Sequence, residues 1–174
     1  AHLGPEYKQF AIGRTPMVEL RTLSPKPDVR LFAKLEGWNP TGSIKDRIVK
    51  HMIQHAERDG LIVPGDTVIE ASTGNTGIAL AMIAAAKGYK LILTMPESMS
   101  PERVSLLKAF GAEVVLTRGT LMTEAVERAR QLVRDNPGAV VRQLVAQART
   151  GDPFLLILAA EGTRTKGEHS ESGF

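Results

Sequence analysis

A chain of 174 residues with 43% hydrophobic and 24% charged side chains has the balance of an ordinary folded domain, with length for one sizeable core. Its 22 basic and 19 acidic side chains leave a net charge of +3, and the basic residues are scattered among acids, which argues against nucleic acid as a partner. The absence of cysteine excludes disulfides, a thiolate nucleophile and a cysteine-ligated metal. No apolar run approaches the roughly 20 residues that span a bilayer, and the N-terminus AHLGPEYKQF lacks a basic region followed by an apolar core. A cytoplasmic protein with no membrane partner is expected.

From about residue 29 short β-type runs alternate with helical patterns, which predicts an α/β fold, an open parallel sheet flanked by helices. Strands are expected at 30–35, 67–70, 90–94 and 113–117, with a weaker one at 139–142. The first helix is expected over 44–59, where Ile44, Ile48 and Met52 with Val49, Ile53 and Ala56 form one apolar face before Gly60. The second, over 76–87, is apolar nearly all round and should be buried against the sheet. A third opens with Ser100 as cap and Pro101 in the first turn. A fourth, over 122–134, ends before the breaker Asn136-Pro137-Gly138.

In such a sheet ligands collect at the carboxyl ends of the strands. Two loops are expected there, NPTGS at 39–43 and ASTGNTG at 71–77, each running into a helix start where unpaired N–H groups favour an anion. They should face one site. Ser43 and Asp46 are expected to cap the first helix as a capping-box pair. Lys45 has no such explanation, because a cation in the first turn sits against the helix dipole. Nearby N–H groups would disfavour its ammonium form, and a neutral amine is what condensation with a carbonyl requires. Ser72, Thr73, Asn75 and Thr76 place hydroxyls, an amide and main-chain donors around one point, suited to a carboxylate or phosphate; the same composition also makes a simple tight loop. No dinucleotide or P-loop motif is present. His51 and His55 lie one turn apart without a third ligand, so no metal site is expected.

Several longer motifs then occur in order: IGRTPMVEL at 12–20, KLEGWNPTGSIKDR at 34–47, PGDTVIEASTGNTGIALAMIAAAKGYK at 64–90, MPESMSPER at 95–103 and LLKAFGAEVVLT at 106–117. Over about 12–142 the chain resembles the N-terminal half of the cysteine synthase family, O-acetylserine sulfhydrylases of the B type in particular. These are pyridoxal-phosphate enzymes of the tryptophan-synthase β-like fold (fold type II). The resemblance implies that residues 1–35 belong to a large domain that is incomplete here, that 36–142 form a small α/β domain, and that 143–174 do not match. It implies that Lys45 condenses with the aldehyde of pyridoxal 5′-phosphate and later moves the substrate α-proton. Asn75 would hydrogen-bond the cofactor's 3′ oxygen; Ser72, Thr73, Gly74 and Thr76 would hold the substrate carboxylate. The implied reaction is β-replacement, in which an activated serine exchanges its leaving group for sulfide to give cysteine, so the partners are a small amino-acid substrate and a sulfide donor. Three departures are visible: Ser72-Thr73 where relatives commonly have Thr-Ser, Arg14 where they often have asparagine, and Leu121 in place of a glycine.

The family's glycine-rich phosphate loop has no counterpart in LVAQARTGDPFLLILAAEGTRTKGEHSESGF, so cofactor affinity and activity should suffer. The alternative is a non-catalytic α/β domain that binds a small anion or a partner. Residues 154–174 weakly resemble the segment around the E-G-T-R motif of glycerolphosphate acyltransferases, through Glu161, Gly162, Thr163 and Arg164, with Ala160 where proline is usual. That family's H-x-x-x-x-D is missing. An open edge along 17–20 is expected to favour self-association or a homodimer.

Overall fold

The computed structural model describes residues 11–135; the strand expected at 139–142 and the tail with its E-G-T-R segment lie outside them. The first two strands, β1 (Met17–Glu19) and β2 (Phe32–Lys34), pair antiparallel, with Met17 opposite Lys34 and Glu19 opposite Phe32. This corrects the expectation that the strand at 30–35 opens the parallel series. The link between them holds a 3₁₀ turn, Arg21–Leu23, and a proline-containing bend, with no helix to carry the crossover a parallel pair needs.

The parallel sheet consists of β3 (Thr67–Ala71), β4 (Lys90–Pro96) and β5 (Glu113–Thr117), in that order. Four helices accompany them: α1 (Lys45–Arg58) before β3, α2 (Asn75–Lys87) and α3 (Pro101–Ala109) as the two crossovers, and α4 (Met122–Asp135) after β5. The elements follow from the local chemistry. Val49, Met52, Ile53 and Ala56 make the buried stripe of α1. Gly88, at φ 78°, takes the left-handed turn that releases the chain from α2 into β4. Ser100 Oγ accepts from the Arg103 N–H at 3.4 Å, and Pro101 opens α3.

β4 is covered on both faces. A Cβ at Gly77 of α2 would lie 3.5 Å from Leu93, whereas the Thr94 hydroxyl on the opposite face donates to the Ala125 carbonyl of α4 at 2.7 Å. Two-sided burial accounts for the unbroken run Leu93-Thr94-Met95, each fully enclosed. Leu93 packs under α2, and Glu70, its register partner on β3, points to the same face. Within the described residues no helix is long and apolar enough to cross a membrane.

One cluster fixes how α1 and α2 run. Lys87 Nζ, at the end of α2, donates to both carboxylate oxygens of Glu57 at 2.8 and 2.7 Å, and the Tyr89 hydroxyl donates to Glu57 at 2.8 Å. The two helices pack together with their C-terminal ends joined, so their N-termini lie at the same end. Lys45 and Asn75 each stand twelve positions before the ion-pair member of their own helix, about 18 Å along each axis.

Candidate active site

The loop before Lys45 is a turn closed by the Gly42 N–H on the Asn39 carbonyl at 2.8 Å, with Gly42 at φ 82°. The expected capping box does not form. Ser43 Oγ accepts from the Lys45 N–H at 3.1 Å, but Ile44 occupies the cap position. The buried Asp46 carboxylate reaches back five residues rather than three, accepting from the Thr41 N–H at 2.8 Å and from the Thr41 hydroxyl. The left-handed turn at Gly42 folds Thr41 over the helix start, and the carboxylate takes that nearer donor. Lys45 is therefore held half-buried at the first position of α1, between a rigid turn and a buried acid.

A second network braces this loop. Arg47 grips Glu36 through two nitrogens, at 2.6 and 2.9 Å, and donates to the Thr15 hydroxyl at 2.9 Å. Thr15 donates to Glu36 at 2.7 Å, and the Asn39 side chain donates to Glu36 at 2.8 Å while accepting from the Gly13 N–H at 2.9 Å. The Arg47 guanidinium holds the Glu36 carboxyl down at about 2, with help from Thr15 and Asn39 against partial desolvation. Two motif segments, the one around Gly13 and Thr15 and the one from Glu36 to Arg47, thus form one clamp. Arg14, next to Gly13, adopts φ 49°, a left-handed conformation that asparagine takes more readily, which gives a physical meaning to that departure.

The second loop follows β3. Ser72 is buried: its N–H donates to the Thr94 carbonyl at 3.2 Å, and its Oγ accepts from the Gly77 N–H at 3.0 Å. Gly77 has no room for a side chain there, since a Cβ would stand 3.2 Å from that oxygen. Gly74 takes the cap position, Asn75 is exposed as the first residue of α2, and Thr73 and Thr76 are half-exposed. The N–H groups of Thr73, Gly74, Asn75 and Thr76 make no hydrogen bond with any described residue. Four successive unpaired donors at the positive end of a helix fit the oxygens of a carboxylate or phosphate.

Lys45 opens α1 and the loop of Ser72, Thr73, Gly74, Asn75 and Thr76 opens α2, the ends of the two helices opposite the Glu57–Lys87 pair. An amine, an amide side chain and a row of N–H groups unpaired among the described residues fit an aldehyde-bearing anion such as pyridoxal phosphate. Among the described residues no group of three or more His, Cys, Asp or Glu could hold a metal.

The fold is an open α/β domain in which Lys45 and the loop at 72–76 each stand at a helix start. The family model "Pyridoxal-phosphate dependent enzyme" matches residues 8–151, and the chain belongs to that family. It is 50% identical over 131 residues to a probable cysteine synthase of Bacillus subtilis, a match covering 75% of this chain and 42% of that protein. Cysteine synthase of Entamoeba histolytica superposes with a TM-score of 0.72 at 34% identity, over 93% of this chain and 50% of that one. An O-ureido-L-serine synthase superposes with a TM-score of 0.68 at 40% identity, over 75% and 41%. The chain thus spans about two-fifths to half of the length of these relatives.

Three groups near the site lie inside the quoted motifs but were given no role from sequence: Arg103, whose guanidinium donates to the Thr73 carbonyl, the Glu36 clamp, and Glu70. Burial pushes the Glu70 carboxyl up from 4.5 to about 7, against a smaller pull from the Ala71 N–H. Between those values the folded chain keeps a proton that the unfolded chain has lost, so stability falls as pH rises through that window. Glu70→Gln removes the ionisation. Thermal unfolding should show its advantage over the unmodified protein growing from pH 4.5 to pH 7 and levelling above; an advantage independent of pH would contradict this.

Proposed function

We propose that this chain carries the lysine side of a pyridoxal-phosphate site for β-replacement on an activated serine, with sulfide taking the place of the leaving group to give cysteine. The observation that carries the reading is the common end of α1 and α2, where Lys45 and the unpaired N–H groups of 73–76 are presented together. The cofactor, when bound, supplies an electron sink for the charge that develops at the substrate Cα.

The residues around it do the rest. Lys45 Nζ would hold the cofactor through its aldehyde and, once the substrate amine has displaced it, would be the base for the α-proton. The exposed amide of Asn75 would hold the cofactor by a hydrogen bond to its ring oxygen. The N–H groups of Thr73, Gly74 and Thr76, with the hydroxyls of Thr73 and Thr76, hold the substrate carboxylate, which orients the Cα–H bond toward the lysine. Ser72 accepts from Gly77 and keeps its own hydroxyl proton to donate.

The test is cysteine formation from O-acetylserine and sulfide by the purified chain with added pyridoxal phosphate. Cysteine should appear only with the cofactor present. Residues 143–174 contain no glycine-rich stretch for its phosphate, and each missing charge-assisted bond is worth about 1.5–3 kcal/mol, so the half-saturating concentration should be high. Absence of cysteine at a cofactor concentration that occupies Lys45 would reject the reaction type.

A further inference from the structure

Resting on the carboxylate reading of the 72–76 loop, we infer that Arg103 is a positioning residue: it pins the Thr73–Gly74 peptide so that the Gly74 N–H faces the substrate carboxylate. Arg103 lies in the first turn of α3, where a cation opposes the helix dipole, so its placement calls for a partner elsewhere. That partner is a main-chain oxygen across the α2–α3 contact, the Thr73 carbonyl.

The peptide bond is planar and trans, so its C=O and N–H point in opposite directions. A guanidinium holding the oxygen toward α3 turns the Gly74 N–H away from α3. The flanking residues cannot do this alone. Ser72 is fixed to Thr94 and Gly77, and the Gly74 carbonyl accepts from Gly77 at 3.2 Å, but neither bond involves the Thr73–Gly74 peptide plane. Gly74, without a Cβ, leaves that plane free to rotate unless something grips it. The base of the grip is stiff: Ser100 caps the turn and Pro101 opens it. The guanidinium also places a positive charge beside the loop, which favours an anion there.

The experiment is a residue-resolved NMR titration of the chain with acetate, comparing the unmodified protein with Arg103→Met and Arg103→Lys. In the unmodified protein acetate should shift the Gly74, Asn75 and Thr76 amides together. In Arg103→Met the Gly74 response should fall roughly tenfold, the low end for one hydrogen bond to a charged group, while the Ser72 and Gly77 amides and the dispersion of α1 and α4 stay as they were. Arg103→Lys, which keeps the charge but not the planar fork, should recover part of the response. A merely structural role would alter the whole loop or the fold, not Gly74 alone; should Arg103→Met fail to fold, the Lys variant carries the comparison. Equal acetate responses in all three proteins would overturn the inference and leave the carboxylate reading standing. No response in the unmodified protein would remove that reading, and the role of Arg103 with it.

Discussion

Reduction with borohydride after mixing with pyridoxal phosphate is expected to fix the label on Lys45, and Lys45→Ala is expected to lose it. Two physical terms select this amine. The unpaired N–H groups of 73–76 concentrate an anion at the end of the helix pair where Lys45 stands. The turn at Asn39–Gly42 and the Asp46–Thr41 bonds hold its backbone still, so little freedom is left to lose on capture. The other described lysines lack this combination. Lys87 is paired with Glu57, Lys34 donates to the Thr15 carbonyl, Lys50 lies past the first turn of α1, and Lys26, Lys90 and Lys108 are exposed away from either loop in the sequence. Peptide mapping should show Lys45 labelled at least roughly tenfold above Lys90 and Lys108, the effect of about 1.4 kcal/mol of local preference. Label spread evenly over the surface lysines would remove the catalytic reading and leave the family membership and fold untouched.

Asp46→Ala should be the most damaging substitution at the site for stability. Its carboxylate is fully buried and accepts two hydrogen bonds from Thr41. Bonds to a charged group contribute about 1.5–3 kcal/mol, and an acid in the first turn of a helix adds about 0.3–1 kcal/mol. Alanine also leaves the Thr41 N–H without an acceptor in a partly buried place. A loss of about 3 kcal/mol is expected from urea unfolding, with Asp46→Asn losing about half, since one oxygen can still accept from the Thr41 N–H. A loss below about 0.5 kcal/mol, the level of an ordinary surface change, would mean that Thr41 and Asp46 do not hold the turn.

The helices were readable because their signals are local: apolar spacing in α1, near-total apolarity in α2, and a serine-proline start in α3. Their boundaries agree with the pattern to within one residue at Lys45, Asn75 and Asp135. The strand at 32–34 was readable as a strand but not as an antiparallel one, because pairing direction depends on what the intervening chain can span. Lys45 stood out as a residue that local rules leave unexplained, whereas a role for Asn75 came only from the family resemblance. The capping of α1 was misread because spacing cannot show that Gly42 folds Thr41 within reach of Asp46. Arg103, Glu36 and Glu70 were invisible for a related reason: their partners or surroundings are brought together by tertiary packing, 30 positions apart for Arg103 and Thr73.

The Glu57–Lys87–Tyr89 cluster acts as the zero mark of a ruler. Both helices are measured from it, and equal tread counts set the lysine and the asparagine level with each other. A single residue inserted into α1 ahead of Glu57 would swing everything upstream by about 100° and shift it by about 1.5 Å, carrying the amine off the shared rim. Helix length, more than the identity of most surface residues on those helices, is thus the quantity this half of the molecule can least afford to vary.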